Sequence, residues 1–200
     1  MEERQYQLPG WTAIIAAALT LPMLVLGIIL EIAARKNPGL AEAILLPYIV
    51  VALLQTLCGL YALGRLKSLL NERHGFHDVD GLIVALIICG GVLTLASLAV
   101  RIAAVTLDLS RAAALASTVL LIIIGLPLAV MAFVFAVKLL RLRSDLSGLL
   151  KPYVYITIAS AVCIATLILA PIGLLLDAAG NVLLGMIFLR REEPSVPEFV

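Results

Sequence analysis

Residues 153–189 read YVYITIASAVCIATLILAPIGLLLDAAGNVLLGMIFL, an apolar stretch whose only charged side chain is Asp177. Drawn as one straight helix, these residues would extend about 55 Å, against a bilayer hydrocarbon core of about 30 Å. The stretch therefore has to bend or fold back. Residues 170–173, Ala-Pro-Ile-Gly, are the place for it, because proline and glycine break helices. Splitting there leaves two runs of roughly 17 to 18 residues, each just long enough to cross. The alternative is one kinked helix. The turn carries no charge, so the pair forms either two full spans or a re-entrant hairpin.

Working outward, the same composition holds throughout. Of 200 residues, 63% are hydrophobic and 14% charged, and the mean hydropathy is +1.16. A soluble domain has roughly 45–50% apolar and 25% charged residues. Further apolar runs fall at about 11–34, 41–63, 81–104 and 112–140, which with 153–170 and 172–189 make six. The expected fold is all-α: a single membrane domain over 1–200, a polytopic bundle of six transmembrane helices arranged as three consecutive hairpins. Arg35, Lys36 and Pro38 close the first span. Residues 68–80, SLLNERHGFHDVD, read as the largest polar loop, with Asp80 placed to cap the third helix. Pro127 lies inside the fourth run and should kink it without ending it.

Basic residues are enriched in short cytoplasmic loops. With six spans and both termini cytoplasmic, ten Lys and Arg lie inside: Arg4; Arg65, Lys67 and Arg73; Lys138, Arg141, Arg143 and Lys151; Arg190 and Arg191. Four lie outside, Arg35, Lys36, Arg101 and Arg111. Five spans would weaken the bias to eight against six. The expected location is the cell membrane, multi-pass. Trp11, Tyr153 and Tyr155 sit at span ends, where aromatic rings anchor at headgroup depth. The prolines Pro47, Pro127 and Pro171, with the similar strings Glu31-Ile-Ala-Ala and Arg101-Ile-Ala-Ala, hint at a duplicated hairpin.

Asp177 and Asn181 stand four residues apart on one face of the last helix. A carboxylate at membrane depth costs at least about 2.5–3.5 kcal/mol, so it should face protein, water or a partner. Gln55, near the middle of the second span, is a candidate hydrogen-bond partner for either. Together these three residues form the expected intramembrane polar site, serving either an ion or proton or simply helix contact. Glu31 and Arg101 are candidates for an ion pair near the outer helix ends. His74 and His77 with nearby acids are better explained as a solvated loop than as metal ligands, since no metal-binding signature occurs. Cys58, Cys89 and Cys163 lie in apolar runs and read as packing thiols. No phosphate-binding glycine loop, nucleophile elbow or dinucleotide fingerprint is present, so no catalytic residue, metal or cofactor is expected.

Net charge is +1, which gives no pull toward nucleic acid. The expected partners are the lipid bilayer and either copies of itself or other membrane subunits. The sequence thus leads first to a non-enzymatic structural or interaction subunit of a larger assembly. A small channel or transporter built around Asp177 and Asn181 is the alternative.

Overall fold

The computed structural model describes residues 3–106, 111–142, 148–166 and 168–190. Among these residues the chain is all-helical, with six helices and no strand. They are α1 (Glu3–Lys36), α2 (Pro38–His74), α3 (Asp80–Thr106), α4 (Arg111–Leu139), α5 (Leu150–Ala165) and α6 (Ala170–Leu189). All but α5 contain a stretch long and apolar enough to cross a membrane. With no water in the hydrocarbon region, helices that satisfy their own backbone groups are the available solution. The chain is a multi-pass helical membrane bundle.

Residues 153–189 do divide into two helices. The break comes a few residues before the expected turn, because α6 begins at Ala170 with Pro171 in its first turn, where a missing N–H costs nothing. At 16 residues α5 is about 24 Å long, shorter than the hydrocarbon core, whereas the 20 residues of α6 give about 30 Å. The helix of α4 runs on through Pro127, and α1 runs through Pro9 and Pro22.

Two boundaries differ from expectation. The helix of α2 continues through residues 68–74, so the connection to α3 is only 75–79. Leu66, Leu69 and Leu70 recur at helical spacing and are buried in the core, which outweighs the polar residues beside them. Gly75 then ends α2 in the left-handed conformation, φ 58°, its N–H returning to the Asn71 carbonyl. At the other boundary, α1 starts at Glu3 rather than near Trp11, and Pro9 and Gly10 are already buried. Between α1 and α2 only Asn37 is non-helical; its side chain accepts from the Leu40 N–H while Pro38 opens the next helix.

Each helix packs beside its sequence neighbours, and α6 returns to α1, so the six form a closed ring. Glycine makes the closure possible. A β-carbon added at Gly185 would lie 2.9 Å from the Gly10 carbonyl oxygen and 2.7 Å from Ile14 Cγ1. One added at Gly173 would lie 2.6 Å from Ile164 Cγ1. Small residues let membrane helices approach closely in this way. The prolines Pro47, Pro127 and Pro171 fall at the tenth, seventeenth and second residues of α2, α4 and α6, which are not equivalent positions in a repeat.

Packing is uneven along the ring. One cluster, including Leu66, Ile83, Phe135, Leu139, Leu184 and Phe188, fills the end at which α1 begins and α6 finishes. Tyr153 belongs to that core and is buried, unlike exposed Tyr155 and Trp11. A smaller cluster, Leu30, Ala33, Ala41, Tyr48, Ala52 and Leu98, joins α1, α2 and α3 toward the opposite end. The connection containing Asp108 and Ser110, together with Arg143 and Arg191, lies outside the described residues, as do the side chains of Arg4, Arg35, Arg73, His74 and Arg111.

Candidate functional site

The face presented by Asp177 follows from which α6 residues touch which neighbour. Gly173 and Gly180 face α5, and Gly185 faces α1. At 3.6 residues per turn these two directions are separated by roughly 130°, close to the roughly 120° interior angle of a six-sided ring. Asp177 lies between them, pointing into the ring. Leu175, Val182 and Met186 occupy the opposite, exposed side.

Farther along the inward stripe, Leu184 is 2% exposed and Phe188 6%. Asp177, seven residues earlier than Leu184, is exposed. An accessible side chain on an inward stripe means that the ring interior is open there and closed beyond it. On the open side, Leu174 sits one turn from Asp177 and lines a crevice of about 370 Å³. Residues of four helices share it, among them Met23, Gly27, Glu31, Tyr48 and Arg101. The interior of the bundle is therefore a cup. Its mouth holds Glu31 and Arg101 and its closed end is the apolar cluster around Phe135 and Phe188; Asp177 stands toward its floor, one turn of α6 below Leu174, and is not among the residues that line the crevice.

At the floor, Asn181 Nδ2 donates to Asp177 Oδ2 at 3.3 Å. The pair expected from spacing thus meets along its own helix. Gln55 does not bond to either residue; its Nε2 donates across to Thr20 Oγ1 at 2.9 Å, and Thr20 in turn donates to the Ala16 carbonyl. Gly185 stands opposite the Gly10 to Ile14 turn of α1. Stepping eight residues along each antiparallel helix puts Asp177 level with Thr20, and so with Gln55. A polar layer crosses the ring at this depth, with Thr56 and Thr94 hydroxyls 3.3 Å apart between α2 and α3. Gln55 Oε1 is buried with no hydrogen-bond partner among the described residues.

At the mouth, the Arg101 guanidinium carbon lies 4.8 Å from the centre of the Tyr48 ring, a cation–π contact. Glu31 lines the same crevice beside this contact.

The polar loop after α2 forms a separate knot at the closed end. Asp80 Oδ2 accepts from Asn71 Nδ2 at 2.9 Å and faces His77 Nδ1 at 3.3 Å and Lys67 Nζ at 3.9 Å. Among the described residues its other oxygen has no partner, so the carboxylate ties α3 back to α2 and does not cap the first turn of α3. Tyr6 stacks on Phe188 and donates to Glu72, fastening the start of α1 over the same end. Among the described residues no cluster of His, Cys, Asp and Glu is arranged to hold a metal. The three cysteines are free and half-buried.

Thr20 is the participant that sequence inspection missed. A single threonine in an apolar run reads as filler, and only the 35-residue separation bridged by Gln55 reveals it. No protein-family model, curated protein or solved structure matches this chain.

Proposed function

We propose that this chain is a small solute carrier or conduit of the cell membrane, its termini cytoplasmic and its cup open to the outside, with Asp177 and Asn181 as the binding floor. One observation carries the reading: Asp177 faces the ring interior and is accessible, while Leu184 and Phe188 on the same stripe are sealed. A carboxylate placed there avoids lipid and meets whatever enters the cup. A path open on one side only, with a polar group at the point of closure, is the half of an alternating-access cycle in which solute loads. No bond is made or broken in this scheme, so no catalytic group is required.

Cysteine accessibility tests it. With Cys58, Cys89 and Cys163 replaced by serine, Leu174→Cys in intact cells is expected to react with a membrane-impermeant, positively charged thiol reagent. Leu184→Cys is expected to resist it. A protease-sensitive tag after residue 200 should be protected in the same cells. An unreactive Leu174→Cys would mean a dry interior, with Asp177 serving a helix contact. The assembly-subunit function expected from the sequence would then be the better account.

A further inference from the structure

The face of α1 that packs on α6 does not stay covered along its length. Ile14 lies against α6, its Cγ1 2.7 Å from where a β-carbon at Gly185 would stand. Ile32 follows five whole turns later and so lies on the same face, yet it is 51% exposed and lines the crevice with Ile28. The reason is that α6 stops short. Gly10 meets both Gly185 and Leu189, and Met23 shares the crevice with Leu174, so the two antiparallel helices keep one register. In that register Ala170, the first residue of α6, is level with about Gly27. The nine further residues of α1, to Lys36, rise about 13 Å above it. The end of α5 lies near the same depth, because Ser160 donates to the Gly173 carbonyl. The crevice therefore has a low side where α5 and α6 end, and Ile168 beside it is 89% exposed.

Depth in the membrane decides what meets that low side. The 20 residues of α6 span about 30 Å, the thickness of the hydrocarbon core, and Arg190 follows at one end. The start of α6 thus marks the other hydrocarbon boundary. Tyr48 packs beside Gly27 with the Arg101 guanidinium over its ring, and Glu31 stands one turn beyond. Both charges lie at head-group depth, in a crevice that opens sideways between exposed isoleucines.

The two charges also restrict the head group. Stacking on Tyr48 occupies the face of the guanidinium and leaves its edge donors for a phosphate, which they match in geometry. The carboxylate of Glu31 balances that positive charge, so the crevice does not favour a net anion. A carboxylate has about four acceptor positions, and Glu31 can receive an ammonium alongside the contacts it already makes. A primary ammonium brings three donors and a quaternary one brings none.

We infer that the crevice binds an aminophospholipid from the adjoining leaflet, its phosphate on Arg101 and its primary ammonium on Glu31. The head group enters over the low side, and the acyl chains stay in the bilayer beside Ile28 and Ile32. This inference goes beyond the carrier reading and stands apart from any solute at Asp177.

Native mass spectrometry of the purified full-length chain in mixed micelles tests it. Phosphatidylethanolamine, phosphatidylcholine and phosphatidylglycerol with the same acyl chains are the probes. Phosphatidylethanolamine should bind about tenfold more tightly than the other two. Glu31→Gln should lower it to the phosphatidylcholine level, whereas Arg101→Gln should weaken both by about tenfold. Arg101→Lys should restore part of that loss, which separates a lost contact from a misfolded protein. Gly27→Leu fills the crevice from a position whose β-carbon would meet Tyr48 at an ordinary 3.5 Å, and should abolish the preference among lipids. Phosphoethanolamine, the same head group without chains, should not compete where the lipid saturates. Equal binding of the three lipids, unchanged by Arg101→Gln and Gly27→Leu, would overturn the assignment, as would tighter binding of phosphatidylglycerol. Competition by phosphoethanolamine at equal concentration would overturn entry from the bilayer. Each of these failures leaves the reactivity of Leu174→Cys, and with it the carrier reading, untouched. An unreactive Leu174→Cys with the lipid preference intact would overturn the carrier reading alone.

Discussion

Closure of the ring between α1 and α6 depends on Gly185 having no side chain, and Gly185→Ala measures that dependence. The added methyl would meet Gly10 O at 2.9 Å and Ile14 Cγ1 at 2.7 Å, and the first of these is backbone that cannot rotate away. Overpacking of this kind costs about 1–3 kcal/mol. Replacing glycine by alanine inside a helix also brings about 0.5–1 kcal/mol of backbone preference in the opposite direction. Gly59→Ala isolates that second effect, because nothing lies within 4 Å of the position its β-carbon would take. Subtracting the two variants removes the propensity contribution and leaves the strain. In reversible unfolding in mixed micelles, Gly59→Ala should be as stable as the parent chain or more stable. Gly185→Ala should lie about 1–3 kcal/mol below Gly59→Ala. Equal stabilities would refute close packing of α1 on α6, and with it the closed ring from which the inward direction of Asp177 is derived.

Three further outcomes follow from the same geometry. Gln55→Leu removes one bond to Thr20 together with a buried oxygen that has no partner, so unfolding stability should be retained or rise by up to about 1 kcal/mol; a loss beyond about 2 kcal/mol would show that the orphan oxygen is satisfied by a bound group. Ser160→Ala deletes a buried 2.8 Å bond to the Gly173 carbonyl where α5 and α6 lie closest, and micelle unfolding should report a loss of about 0.5–1.5 kcal/mol. Lys67→Ala leaves Asp80 with Asn71 and His77, and because the 3.9 Å pair is half-exposed the stability change should stay under about 1 kcal/mol and shrink with added salt.

How much of this was legible in the residues depends on the kind of physical signal each part emits. Transfer of apolar surface into lipid is nearly additive along a chain, so five long helices and the division of residues 153–189 could be read directly. The short connection after α2 could not. There, Glu72, Arg73 and His74 advertise solvent, while the leucines that keep the segment helical are rewarded only by a core assembled from other helices. Asp177 and Asn181 were legible because their partnership is local, four residues along one helix. The partnership of Gln55 with Thr20, and the contact of Arg101 with the Tyr48 ring, are set by neighbours in space that no spacing rule supplies. Ring closure belongs to the same class. Gly10, Gly173 and Gly185 mark surfaces where something approaches closely, but glycine carries no information about what approaches.

The cup itself arises from a mismatch between two of these signals. A ring in which the helices pack mainly on their neighbours has an interior that side chains must fill, and large residues do so at one end, where Phe135, Leu184 and Phe188 converge. Toward the other end the inward stripe of α6 offers Asp177 and the facing helices offer Gly27 and a polar layer of Thr20 and Gln55. A leucine at position 177 would extend the apolar plug by another turn, at a lower insertion cost than the carboxylate by about 3 kcal/mol or more. An aspartate there forgoes that stability and leaves the interior open to a polar guest. Stability alone therefore does not explain Asp177, and the binding role proposed for the cup would give that position a purpose that packing does not.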